Sequence, residues 1–145
     1  MKNFVLGFAF YKGIDQIILI QKTKAGPQFG KCNGIGGSVE PHEKTFRDAM
    51  VREFKEETGI QSRKTSWIHF GRFGAPGWNV ECFASLTACT DFTKVVPSSE
   101  GPIILGKIGD LRGPLFMPNL RWLVPMAAGA LEGCAESFFD IRYQS

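Results

Sequence analysis

The chain reads as an α/β domain, a mixed sheet covered by helices, and three features of the sequence predict this class. Two largely apolar runs of strand length stand near the N-terminus, joined by a short turn. A stretch with helical period follows, bounded by a start signal and a stop signal. After it come further strand-like runs, a second helical pattern and a final strand, so strands flank both helices.

The first strands are "NFVLGFAFY" (Asn3 to Tyr11) and "QIILIQK" (Gln16 to Lys22), with "KGID" as the turn between them. "TKAGPQFGKCNGIGG", Thr23 to Gly37, is a Gly-rich loop without helical period. The first helix is expected from Phe46 to Glu57. Thr45 and Asp48 make a capping box at its start, and Gly59 with Ile60 makes a Schellman-type stop. "SWIHFGRFG" and "WNVECFASL" are strands separated by the turn "APG". "IILGKIGD" is a strand or a strand leading into a loop. In "NLRWLVPMAAGALEG", Leu120, Leu123, Val124, Ala127, Ala128 and Leu131 recur at helical spacing. Pro125 is expected to kink or start that helix, and Gly133 to end it. "SFFDIRY" supplies the last strand.

Composition narrows the function. A chain of 145 residues fits one domain, residues 1–145, with a sizeable core. The net charge is only +3, and no Lys/Arg block tracks a nucleic-acid backbone, so a polymer partner is not expected. Cys32, Cys82, Cys89 and Cys134 are scattered without CxxC spacing, which argues against zinc and fits reduced thiols in a cytoplasmic protein. The N-terminal apolar run is interrupted by Gly7 and lacks a small-residue cleavage site, so it reads as a strand and not a leader. No run reaches the roughly 20 apolar residues that span a bilayer.

The end of the first helix carries the chemistry. Glu53, Glu56 and Glu57 stand at i, i+3 and i, i+4 steps and share a face. Like charges at that spacing cost about 0.2–0.5 kcal/mol each. The last turn of a helix disfavours anions by a further 0.3–1 kcal/mol or so. The sector adjoins the side on which Phe46, Ala49 and Met50 project. By spacing alone the acids read either as a solvated face offset by Arg52 and Lys55, or as a site for a hard divalent cation. Mg²⁺ takes a few carboxylates together with substrate phosphate oxygens, and Mn²⁺ accepts similar ligands. Arg52 pairs with one of the acids in either case.

The run Gly37, Glu43, then Arg52-Glu53-Phe54-Lys55-Glu56-Glu57-Thr58-Gly59-Ile60 resembles the signature box of the Nudix hydrolases. Its second half matches the family pattern at every defined position. Its first half carries one extra residue, eight between Glu43 and Arg52 where the family has seven, and this leaves the role of Glu43 open. The resemblance implies a Nudix fold, an α/β/α sandwich with a mixed sheet, and metal-dependent hydrolysis of a nucleoside diphosphate linked to another moiety. It casts Arg52, Glu53, Glu56, Glu57 and Glu100 as catalytic candidates. Gly37, Glu53, Glu56, Glu57 and Glu100 become metal ligands for Mg²⁺ or Mn²⁺. Read singly, Glu100 is as well explained by an exposed loop.

"FGKCNGIGGSVE" and "MPNLRWLVP" resemble segments of the MutT-like enzymes that hydrolyse oxidised purine nucleoside triphosphates. This implies a nucleotide substrate, probed by Asn33, Asn119, Trp122 and Phe29, with Phe8 a weaker wall candidate. Read singly, Asn33 is also a turn residue before glycine, Asn119 a helix cap, and Trp122 a core residue. The family's paired aspartates correspond here to Asn119 and Leu120. An oxidised guanine such as that of 8-oxo-dGTP is therefore one expectation. ADP-ribose, a dinucleoside polyphosphate or another conjugate is the alternative, and a nucleotide-binding domain without catalysis is a third. Lys22, Lys24 and Lys31 read as solvated lysines or as phosphate attractors. Trp78 and Glu81 share a strand that serves either the pocket or self-association, and the chain is expected to be a monomer or a homodimer.

Overall fold

The computed structural model describes residues 1–133 and 138–144. Cys134 and the start of the "SFFDIRY" run lie outside them. The elements run β1 (Lys2–Tyr11), β2 (Gln16–Gln21), β3 (Cys32–Asn33), β4 (Ile35–Ser38), α1 (Phe46–Thr58), β5 (Ile68–Ala75), β6 (Trp78–Ser85), β7 (Ile103–Lys107), α2 (Leu120–Leu131) and β8 (Phe139–Arg142).

The strands form one mixed sheet in the order β3-β2-β1-β6-β5-β8, with β4 paired to β1 and β7 to β2. The β1–β6 and β5–β8 pairs are parallel. The others are antiparallel. Opposite its β6 edge, β1 is long enough to serve two further partners. Phe4 to Gly7 pair with β4, and Phe10 and Tyr11 pair with β2. The hairpin turn places Lys12 at φ 52° and Gly13 at φ 85°, the left-handed geometry that matches strand twist.

Alternation along the strands splits the core into two layers. Leu6, Phe8, Phe10 and Cys82 face α2, where Leu120, Leu123, Val124 and Ala127 cover them. Val5, Ala9 and Phe83 face α1, where Ala49, Met50, Phe54 and Trp67 cover them. The result is a helix–sheet–helix sandwich. At Gly7 a β-carbon would collide with the Met50 thioether, so glycine lets α1 lie close on β1.

The capping box expected at the start of α1 forms. The Thr45 hydroxyl accepts from the Asp48 amide while the Asp48 carboxylate accepts from the Thr45 amide, and Gly59 at φ 79° ends the helix. It does so by the single αL bond from its amide to the Lys55 carbonyl in place of a Schellman pair, the Ile60 amide donating to the Thr58 hydroxyl. Two further expectations change. The Gly-rich segment is not wholly loop: Cys32–Asn33 and Ile35–Ser38 pair with β2 and β1. Four-residue strands containing two glycines carry too little periodicity to read in advance. Of the two readings of Pro125, its place inside α2 excludes the helix start. Its missing N–H leaves the carbonyl of Arg121 without its helical partner, and both residues are exposed.

Candidate active site

The site forms where α1, the β3–β4 segment and the β7 side of the sheet meet. The capping box sets the helix start, so the extra residue after Glu43 is absorbed before Phe46 and the acids keep their register. Glu43 is nearly buried and has a definite task. Arg52 donates from Nε to Glu43 Oε2 (3.0 Å) and from Nη2 to Glu43 Oε1 (2.9 Å). The same guanidinium donates to Glu53 Oε1 (2.9 Å), Glu56 Oε2 (3.1 Å) and the Ser38 carbonyl (2.8 Å). Arg52 is therefore a clamp between the β4 end and the helix acids, and it does not line the cavity. Hydrogen bonding to Glu43, then to Glu53, holds its charge even more firmly than usual. Burial works against the Glu43 carboxylate, but Arg52 outweighs it and holds Glu43 below the usual range.

The three helix acids differ in environment. Glu56 is over half exposed, and its ion-pair partner is Arg52. Glu53 and Glu57 are buried. Burial raises Glu53 despite the opposing pull of Arg52. Burial pushes Glu57 up to about 7, against the pull of Lys22 and with added repulsion from Glu53 and Glu100. Lys22 Nζ stands 3.9 Å from Glu57 Oε1. Glu57 Oε2 is buried without a hydrogen-bonding partner among the described residues. Gly37 lies directly over Glu53, so that any β-carbon there would fall on the Glu53 carboxylate.

That pair of buried acids suits a divalent cation. Among the described residues no three acidic, histidine or cysteine side chains close into a ready-made cage. Mg²⁺ does not need one, since it takes one or two carboxylates and fills its shell with water and substrate oxygens. The unpartnered Glu57 oxygen is the atom such an ion would satisfy. Glu100 is placed nearby, but its carboxylate pairs with Lys24 at 2.9 Å.

Beside these acids opens a cavity of about 670 Å³. Lys22, Gly36 and Gly37 form its polar end; Asn33, Gln28 and Asn119 stand along it; Phe73, Trp78, Met117, Trp122 and Tyr143 form an apolar wall. Asn33 Oδ1 accepts from the Gly34 backbone N–H (2.9 Å), and Asn33 Nδ2 donates to Gln28 Oε1 (3.4 Å). It is thus both the turn residue and a wall of the cavity. Asn119 precedes α2 without capping it through its side chain, and its Oδ1 is buried and unpartnered among the described residues. Trp122 packs edge-on against Phe73 and Phe139 while facing the cavity, so its two readings coexist.

Several expectations are corrected. Phe29 is 63% exposed and does not line the cavity; its neighbour Gln28 does. Phe8 is wholly buried in the core, and Leu120 likewise turns into the core. Trp78 and Glu81 fall on opposite faces of β6, as their odd spacing requires. Trp78 lines the cavity, whereas Glu81 is buried among His69, Arg72 and Asn79. Lys22 belongs to the site, while Lys24 pairs with Glu100 and Lys31 donates to the Pro114 carbonyl. Gln28, Phe73 and Tyr143 went unforeseen. The registers Phe73–Val80 and Val80–Phe4 put Phe73 on the Leu6 face, and nothing local marks it, Gln28 or Tyr143.

The family model for the NUDIX domain matches residues 5–99, well over half of the chain. The chain belongs to the Nudix family. Among solved structures it is similar to MutT of Aliivibrio salmonicida and Vibrio cholerae, with a TM-score of 0.65 and 23% identity over 78% of this chain and 87% of that one. It is also similar to the NUDIX domain of Shewanella oneidensis NrtR complexed with ADP ribose, with a TM-score of 0.71 and 15% identity over 89% of this chain and 87% of that one. A MutT/nudix family protein from Enterococcus faecalis shares the fold at a TM-score of 0.63 and 16% identity over 73% of this chain, which spans only 43% of that protein. At these identities the likenesses speak for the fold. No curated protein matches the sequence. Among the described residues no helix is long and apolar enough to cross a membrane.

Proposed function

We propose that this Nudix hydrolase cleaves a purine (deoxy)nucleoside triphosphate to the monophosphate and pyrophosphate, with a modified base such as that of 8-oxo-dGTP preferred. One observation carries the reading: a single cavity joins three side-chain amides and an aromatic wall to a polar end beside two buried carboxylates. Asn33 and Asn119 present donors and acceptors to a base edge, and the unpartnered Asn119 Oδ1 calls for a donor from the ligand. Trp122, Trp78 and Phe73 provide flat apolar surface against which a base packs.

Glu53 and Glu57 would hold Mg²⁺, or Mn²⁺ in its place, with Glu56 and the Gly37 backbone alongside and Glu100 as a further acid. When bound, the ion supplies charge neutralisation of the phosphates and a water acidic enough to attack. The chain's own residues do the rest. Arg52 and Glu43 fix the carboxylates against the sheet. Lys22 and the glycine backbone at Gly36 and Gly37 receive the phosphate chain without side-chain obstruction.

A second reading, hydrolysis of ADP-ribose or a similar conjugate, has an observation of its own. Leu120 is turned away, so Asn119 is the base-facing polar group from that loop. Its amide matches the adjacent donor and acceptor of adenine as well as those of a guanine.

Product analysis over 8-oxo-dGTP, dGTP, the other dNTPs, ADP-ribose and a dinucleoside polyphosphate, each with Mg²⁺ and with EDTA, tests the proposal. Metal-dependent pyrophosphate release from the oxidised triphosphate, well ahead of dGTP, is expected. Cleavage of conjugates alone establishes the second reading. Full Mg²⁺-dependent activity in Glu53→Gln or Glu57→Gln sinks both.

A further inference from the structure

β8 ends the sheet beside β5, and among the described residues nothing pairs with its outer edge. The Tyr143 amide donates to the Gly74 carbonyl of β5 (2.7 Å). By strand alternation the backbone groups of Phe139 and Ile141 also face β5, and those of Asp140 and Arg142 point outward. The side chains of Asp140, Ile141, Arg142 and Tyr143 are all exposed. Neither proline nor lysine, the usual guards of a free edge, stands in "FDIR".

We propose that this edge joins two copies of the chain through antiparallel pairing of β8 with β8 about a two-fold axis at Ile141. The charge pattern selects that register. An axis at Ile141 sets Asp140 opposite Arg142 of the second copy, on both sides of the axis. An axis at Asp140 would oppose two aspartates and one at Arg142 two arginines, both unfavourable. An axis between residues would oppose side chains from different faces of the sheet. The backbone agrees independently. Asp140 and Arg142 both point outward, so each such pair exchanges its N–H and C=O groups. Ile141 points inward and meets its own copy at the closer, non-hydrogen-bonded spacing. Phe139 then faces Tyr143 of the second copy. In the single chain Asp140 is held by Arg142 Nε (2.9 Å) and Arg72 Nη1 (3.5 Å). Both contacts are at the surface, so re-pairing of Arg142 Nε across the axis exchanges one surface ion pair for another, with Arg142 Nη1 left on Asn79 Oδ1 (3.2 Å). The surface is isologous, as a closed dimer requires.

Sedimentation velocity from about 1 μM to 1 mM, a range that covers weak and moderate association, tests this pairing. The full chain is expected to pass from monomer to dimer with concentration. Asp140→Arg sets like charges opposite each other and weakens association at least roughly tenfold. Asp140→Arg combined with Arg142→Asp restores the complement and returns affinity to within a few-fold of the starting chain. Thermal melts confirm that each variant folds. As a measurement independent of those variants, Ile141→Cys in a Cys134→Ser background should cross-link under mild oxidation, because residues at that spacing admit a disulfide. A chain that stays monomeric throughout, an Asp140→Arg dimer of undiminished strength, a double variant without recovery, or an Ile141→Cys chain that fails to cross-link overturns the proposal.

Discussion

Replacing Glu57 with glutamine should stabilise the metal-free protein at alkaline pH while destroying its metal response. Burial pushes the Glu57 carboxyl from an ordinary 4.5 to about 7, with Lys22 opposing that rise and Glu53 and Glu100 adding to it. For an acid raised in the folded state, ionisation costs stability. The cost is absent while the group is protonated in both states, grows as pH rises from about 4.5, and is complete above about 7. The displacement corresponds to roughly 3 kcal/mol at pH 8. That figure already contains the attraction to Lys22, and glutamine resembles the protonated acid, so a net gain of about 3 kcal/mol is expected. For a domain of this size that is a rise in Tm of roughly 6–12 °C. The assay is a thermal melt in EDTA at pH 5 and pH 8, for parent and variant, repeated with saturating Mg²⁺. The gain should be large at pH 8 and fall to about a quarter of that at pH 5. Mg²⁺ should stabilise the parent and leave the variant almost unmoved. A variant less stable than the parent at pH 8, or shifted equally at both pH values, refutes the electrostatic account of this acid.

Other consequences are as direct. Glu81 runs the opposite way: burial alone would raise it, yet hydrogen bonds from His69, Asn79 and Arg72 and the Arg72 charge hold it at about 2. Its stabilisation is fully present above pH 4.5 and lost as pH falls towards 2, so Glu81→Gln should cost roughly 3 kcal/mol in denaturant melts at pH 7 and little at pH 2. Gly37→Ala drives a methyl onto the Glu53 carboxylate, so kcat should fall on the order of 100-fold while far-ultraviolet circular dichroism stays unchanged. Trp122→Ala should raise KM about tenfold or more through lost stacking, whereas Phe29→Ala, at an exposed position off the cavity, should leave KM unchanged in the same nucleotide assay.

Much of this protein was legible in the chain because the interactions that encode it are local. The capping box at Thr45 and Asp48, the left-handed stop at Gly59 and the i, i+3, i+4 spacing of Glu53, Glu56 and Glu57 all lie within a turn or two of helix. The apolar runs of β1, β2, β5 and β6 state their own period, so the α/β class and most element bounds could be read directly. The crowding of carboxylates at a helix C-terminus, unfavourable on its own terms, singled out this helix end, although spacing alone left a solvated face and a cation site both open.

The tertiary structure decided what depends on distant contacts. Spacing placed the three acids on one face, but burial under the β3–β4 segment separated them into a solvent-facing Glu56 and two buried acids. The task of Glu43 was undecidable from an extra residue in the chain and became plain once Arg52 bridged it to the helix acids. Phe29 and Gln28 are neighbours in sequence, and only the course of the loop shows which one meets the cavity. Tyr143 reaches that wall because β8 returns beside β5, a pairing between residues far apart in the chain. Local hydrogen bonding and periodicity thus determined the elements and the acidic helix. Desolvation and long-range strand pairing, properties of the packed whole, determined which side chains meet at the candidate site.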